Sequence, residues 1–162
     1  MKFTTLFLGL ATVCTLSLTA CGSDGKVAKA GGAGGAALLG APVPDVETEI
    51  EVALSKTGPF SIEASKTTAP AGKISLKITS YDKTKVLHEV VVTRTNTKAK
   101  ALAASKEEAG MVDETGVIAE QEDVEDGQSM TMSLFLPAGH YVVMCNKPAH
   151  HAGGMYFDLD VT

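Results

Sequence analysis

The sequence predicts an all-β domain, a Greek-key sandwich or barrel, with one short helix in an acidic insertion. Three observations predict it. Apolar and polar residues alternate with period 2 through most of residues 47–162, Gly/Pro turns interrupt that alternation at short intervals, and only one stretch has helix-forming composition. With 44% hydrophobic and 5% aromatic residues in 162, the chain can fill one modest core and is too apolar for general disorder. A formal net charge of −5 opposes nucleic-acid binding, which needs a basic face.

The elements follow in chain order. Lys2 precedes an apolar tract, Phe3 to Leu18, that is too short for a flanked membrane span and reads as an export signal over residues 1–20. It ends in Leu18-Thr19-Ala20-Cys21, which resembles the lipobox of bacterial lipoproteins. That resemblance implies a diacylglycerol on Cys21, an exported protein on the periplasmic or extracytoplasmic face of a bacterial membrane, and membrane contact through the lipid alone. Ordinary secretion, with cleavage at a nearby small residue, is the alternative. Residues 21–46 form a Gly/Ala-rich tether, stiffened at Pro42 and Pro44, with a span of roughly 25–30 Å if flexible. The folded domain is expected over residues 47–162.

Within it, Ile50, Val52 and Leu54 share one strand face, and Phe60, Ile62 and Ala64 alternate after the turn at Gly58-Pro59. Ile74, Leu76 and Ile78 form a third run, and a further strand spans about Val86 to Thr93. Met130, Met132, Leu134 and Leu136 read as core residues at period 2, not as a metal-binding methionine motif. Tyr141 to Cys145 and the alternation of Phe157, Leu159 and Val161 complete the pattern. Between these strands, residues 96–109 are rich in Ala, Lys and Glu and predict a helix of about three turns. Residues 111–127 are acidic, with a short strand at 116–119. The run Glu120, Glu122, Asp123, Glu125 and Asp126 reads as a solvated loop, or as a dock for a basic partner.

Chemistry concentrates in Cys145-Asn146-Lys147-Pro148-Ala149-His150-His151-Ala152-Gly153-Gly154-Met155. Of three cysteines, Cys14 leaves with the signal and Cys21 takes the lipid, so Cys145 is the lone thiol of an exported domain and has no intramolecular disulfide partner. A thiolate, an imidazole and a thioether in one inter-strand loop favour one copper ion, and a second imidazole would complete a His₂Cys set with a distant Met. His88 fits, or is otherwise a hydrogen-bonded core histidine: in Val86-Leu87-His88-Glu89-Val90-Val91-Val92 it shares a face with Val86, Val90 and Val92. A histidine on an apolar face needs partners for its ring nitrogens.

The segments V-L-H-E-V-V-V and G-H-Y-V-V-M-C-N-K-P-A-H-H-A-G-G-M-Y-F-D-L-D-V-T resemble the cupredoxin family, in particular its exported bacterial copper-binding domains. The resemblance runs from about Glu49 to Thr162 and is weakest in the acidic insertion. It implies a cupredoxin-like sandwich in which His88 and His150 are imidazole ligands, Cys145 the thiolate and Met155 the weak axial ligand. His151, one residue on, is the alternative to His150. It otherwise reads as a solvent-facing neighbour at the metal edge or as an entry point for electrons or protons, and His140 reads as a surface residue.

Better-known members of the family carry Asn after the first His and Ser or Thr after the Cys, tying the ligand loops together. Here Glu89 and Asn146 stand there. A hydrogen bond from Asn146 to Glu89 would serve the same end; strand parity alternatively makes Glu89 a solvated residue. The implied function is one-electron transfer by a monomeric type 1 (blue) copper protein to a redox partner such as a cytochrome or oxidase. Four protein ligands and no open position argue against an enzyme. Copper binding for delivery or tolerance at the same site, and a metal-free interaction module with Cys145 merely buried, are the other readings.

Overall fold

The computed structural model describes residues 47–162. The expected signal (1–20), the lipid-bearing Cys21 and the tether to residue 46 lie outside the described residues. Nine strands form: β1 (Glu47–Leu54), β2 (Ile62–Ala64), β3 (Thr68–Ala69), β4 (Gly72–Ser80), β5 (His88–Arg94), β6 (Val117–Val124), β7 (Ser129–Leu136), β8 (Gly139–Met144) and β9 (Tyr156–Val161). They make two sheets, β2-β1-β4-β7 and β3-β9-β8-β5-β6. The β1–β4 and β3–β9 pairs are parallel and the others antiparallel.

The period-2 pattern explains the sandwich. Ile50, Val52, Leu54, Ile74, Leu76 and Ile78 point inward from the first sheet and are at most 1% exposed. Val90, Val92, Tyr141, Val143 and Leu159 meet them from the second. Met130, Met132 and Leu134 pack against this core as expected. Burying each large aliphatic side chain contributes roughly 1.5–3 kcal/mol, enough in sum to set the register of every strand that carries them. Tyr141 puts its ring in the core while its hydroxyl donates to the Pro137 carbonyl at 2.8 Å, which ties the β7–β8 turn to the sheet.

The insertion departs from expectation. In place of a three-turn helix over 96–109, only Ala99–Ala101 is helical, a single 3₁₀ turn. Tertiary contacts outweigh propensity here. The Ala99 N–H donates to Asp158 Oδ1 at 2.9 Å. Ser105 N–H donates to the Met111 carbonyl, and Asp113 N–H to that of Ala103, closing a loop with an Ala104–Val112 bridge. Ala99 and Val112 thereby cover Val91, Val142 and Met144 on the outer side of the second sheet. That second layer is why β5 reads as an unbroken apolar run: both of its faces are buried.

Smaller corrections follow from the same packing. The strand expected from Val86 starts at His88, and Val86 and Leu87 are exposed. Phe60 lies in a loop, not on the strand of Ile62, with a left-handed φ of 63°. The acidic run is not a loop throughout: Glu120, Glu122 and Asp123 belong to β6, the edge of the second sheet.

Truncating Ile78 to Ala should cost about 2–5 kcal/mol in denaturant unfolding, because its core site cannot fully collapse. Lys77→Ala, one residue away on the solvent face, should stay within about 0.5 kcal/mol. Equal effects at both positions would contradict the facing assigned to β4.

Candidate metal centre

Three of the four expected ligands converge. Donor atoms of His88, Cys145 and His150, all buried, lie within 4.8 Å of one another. Cys145 Sγ is 3.2 Å from His150 Nδ1 and 3.9 Å from His88 Nδ1. His88 opens β5, whereas Cys145 follows β8 and leads into the loop that carries His150. β5 and β8 pair side by side, so residues 57 positions apart in sequence end close enough to bind one ion between them. Met155 closes that loop. It is fully buried, and its carbonyl accepts the Cys145 N–H at 2.9 Å.

Each part of the cluster is held from behind. Asp82 Oδ2 lies 3.2 Å from His88 Nε2 and Ser55 Oγ 3.1 Å from the same nitrogen. The Thr84 hydroxyl, above all, holds the Asp82 carboxyl below its ordinary range, so Asp82 is an acceptor and Nε2 carries the ring hydrogen. The Nδ1 lone pair of His88 is thereby left facing the sulfur, the carboxylate–imidazole arrangement that orients metal-binding histidines. Neither Asp82 nor Ser55 is marked by sequence: both are short polar residues at loop ends.

Residues 145–155 form a chain of tight turns. His150 N–H donates to the Lys147 carbonyl at 3.0 Å and Met155 N–H to that of His150 at 3.1 Å. Ala149 sits at φ 69°, a left-handed conformation unusual for alanine, and its N–H donates to the Gly110 carbonyl at 2.8 Å. Gly110, itself at a left-handed φ of 82°, is a tight position for a side chain, since a Cβ would stand 3.2 Å from the Ala149 nitrogen. Phe60 roofs the cluster. Its ring lies 4.8 Å from that of His150, and a Cβ on Gly153 would meet it at 2.9 Å.

The Asn146 side chain does not reach Glu89 as expected, although the Asn146 backbone N–H does act on the Glu89 carboxyl. The Asn146 side chain is spent on the insertion. Its Oδ1 accepts the Val112 N–H at 2.8 Å, and its Nδ2 donates to the Val112 carbonyl at 3.1 Å and to Glu114 at 2.9 Å. Glu89 is buried, not solvated, and its backbone N–H points at Cys145 Sγ at 3.4 Å. A bulge makes this available: between the His88–Val124 and Val90–Gln121 pairs, Glu122 and Asp123 oppose Glu89 alone. Burial pushes the Glu89 carboxyl up, against the pull of Lys147, whose Nζ is 3.7 Å from Oε2.

His151 is neither solvent-facing nor part of the cluster. It is 8% exposed, its Nε2 donates to the Ala99 carbonyl at 3.0 Å, and its ring packs on Tyr156. His140 is not a free surface residue either, being held between the Thr95 carbonyl and Asp158. Burial, above all, pushes the Cys145 thiol up, while the N–H groups of Glu89 and Lys147 oppose it. A thiolate here therefore needs a cation to balance it. Burial also lowers His150 and His151, with the neighbouring His88 adding to the effect at His150.

Two outcomes follow. Asn146→Ala strands the buried N–H and carbonyl of Val112 and should cost roughly 1–3 kcal/mol in unfolding experiments. His151 is depressed below its ordinary 6.5, so as pH falls through that value the unfolded chain takes up a proton that the folded chain refuses. Its stabilisation is complete above 6.5 and fades below. The metal-free stability lost in His151→Phe should therefore be greater near pH 7.5 than near pH 5. A difference constant with pH would contradict this.

No family model matches the chain, and no curated protein does. Solved structures do. Rusticyanin from Thiobacillus ferrooxidans is 18% identical, with a TM-score of 0.57 over 72% of this chain and 77% of that one. Auracyanin B is 21% identical, with a TM-score of 0.54 over 74% and 91%. Auracyanin from the photosynthetic bacterium Roseiflexus castenholzii is 27% identical, with a TM-score of 0.50 over 71% and 97%. The two-sheet architecture and these neighbours agree: the chain has the cupredoxin fold, and His88, Cys145 and His150 form within it a candidate site for one metal ion.

Proposed function

We propose that this protein is a one-electron carrier whose single copper ion is held by His88, Cys145, His150 and Met155. The observation that carries this reading is the buried Sγ with two Nδ1 atoms at 3.2 and 3.9 Å. One soft sulfur and two imidazoles, with a thioether sulfur in the same loop, match copper better than zinc or a hard cation. Rusticyanin, described as a copper protein, shares the fold and supports the assignment. Copper would supply a one-electron couple; the chain supplies everything else.

The work of the chain is to hold geometry. Asp82 and Ser55 fix the His88 ring, the Glu89 N–H caps the sulfur, and Asn146 braces the ligand loop against the insertion. Donors fixed this firmly need little rearrangement when charge changes, and that favours electron transfer. His150, 6% exposed beneath the Phe60 ring, is the donor nearest to solvent and the natural edge for a redox partner such as a cytochrome or oxidase. With its donors supplied by the protein, the site offers no open position for a substrate, which favours a carrier over an enzyme. No helix among the described residues is long and apolar enough to cross a membrane. The Leu18-Thr19-Ala20-Cys21 sequence supports an exported protein, lipid-anchored at the outer face of a bacterial membrane.

Adding Cu(II) should produce an intense visible charge-transfer band that bleaches with reductant and returns with oxidant. Cys145→Ser should abolish the band, and a wild-type spectrum unchanged by copper would end the proposal. Electron exchange with a cytochrome c should outpace loss of copper to a chelator; the reverse order would favour copper delivery.

A further inference from the structure

Among the described residues, a second set of donor side chains converges on the far side of β5. Glu89 from β5, Glu114 from the insertion and Glu120 from β6 each place a carboxylate oxygen within 4.8 Å of the others. Acidic side chains crowd on many surfaces, but here one member is not on the surface. Glu89 is 4% exposed, and its Oε1 is buried without any hydrogen-bond partner. A buried carboxylate oxygen left unmatched costs free energy that folding normally avoids. Lys147 does not supply the match. Its Nζ stands 3.7 Å from the other oxygen, Oε2, and makes its closer contact, 3.0 Å, with Asp123. The Asn146 side-chain amide donates to Glu114 Oε1 at 2.9 Å, which restrains that carboxylate.

We propose that Glu89, Glu114 and Glu120 bind a hard divalent cation, of which calcium is the best fit, at a site separate from the sulfur–imidazole cluster. All three donors are oxygens, which excludes a soft metal and favours the calcium and magnesium class. Oxygens on opposite sides of a calcium ion stand roughly 5 Å apart, so a triad within 4.8 Å closes around it with little movement. Glu114 and Glu120 are exposed, leaving space for the waters that complete six to eight ligands. The ion would satisfy Oε1 of Glu89 and offset three clustered negative charges that a single shared lysine leaves in excess. It would also clamp the insertion to β5 and β6. The proposal does not depend on copper, because none of its donors touches the Cys145 cluster through a side chain.

Calcium chloride titrated calorimetrically into the full-length, chelator-treated protein tests it. Saturable binding at one site is expected, with a melting temperature that rises with calcium concentration. Glu120→Gln and Glu114→Gln, both at exposed positions, should each weaken binding by roughly tenfold or more, and Glu120→Gln, which removes one crowded charge, should not lower the calcium-free melting temperature. Absence of saturable binding up to about 10 mM, beyond the weakest calcium modules, would overturn the proposal. Binding that persists undiminished in both variants would overturn it equally, by placing the ion elsewhere.

Discussion

The Cys145 sulfur is the point on which the rest of the molecule depends, because a thiol this deep can be ionised only if its surroundings are prepared for the charge. Sγ is fully buried, with two imidazole nitrogens within 4 Å and one backbone N–H directed at it. None of those groups is near it by chain connectivity except His150. His88 and Glu89 arrive on β5 and stay only because β5 pairs with β8 in one register; a slip of one residue would turn His88 away from the sulfur. The apolar sides of β5, β8 and β9 thus do more than exclude water. They decide which polar atoms face the sulfur.

Much of this is legible in the amino-acid sequence, for reasons that also mark where legibility stops. Alternation on β1, β4 and β7 is strict, so the inward residues and the sandwich follow directly. His88 and Cys145 can be matched because soft donor chemistry requires a second imidazole and His88 lies on an apolar strand face. Parity fails at Glu89 because a bulge and a covered outer face break the rule that alternate residues see water. The helix at 96–109 fails because Ala, Lys and Glu state a local preference, whereas Asp158 imposes a tertiary contact at Ala99 and Asn146 anchors Val112 just beyond the segment. His140 and His151 fail for a related reason: their partners, the Thr95 and Ala99 carbonyls, lie about fifty residues upstream. Asp82 and Ser55 leave no trace in the sequence, being turn residues like any others until the fold brings both to one ring nitrogen.

The insertion is best regarded as a third layer. It seals the outer face of the second sheet through Val112 and Ala99, and its hydrogen bonds converge on Asn146, the residue after Cys145. Its stability and that of the ligand loop are therefore coupled through buried polar contacts, which lose far more when half broken than when absent.

Phe60 has a consequence for traffic. It sits in the short loop between β1 and β2, which is pinned by the Ser55–Ser61 backbone bond at 2.8 Å, and it lies over His150 and against Gly153. A ring in that place is a door on a small hinge, since swinging it aside opens a few loop residues and leaves both sheets intact. Access to His150 is thus set by a side chain that belongs to neither sheet, so a change at residue 60 alters the exposure of the loop while both sheets keep their register.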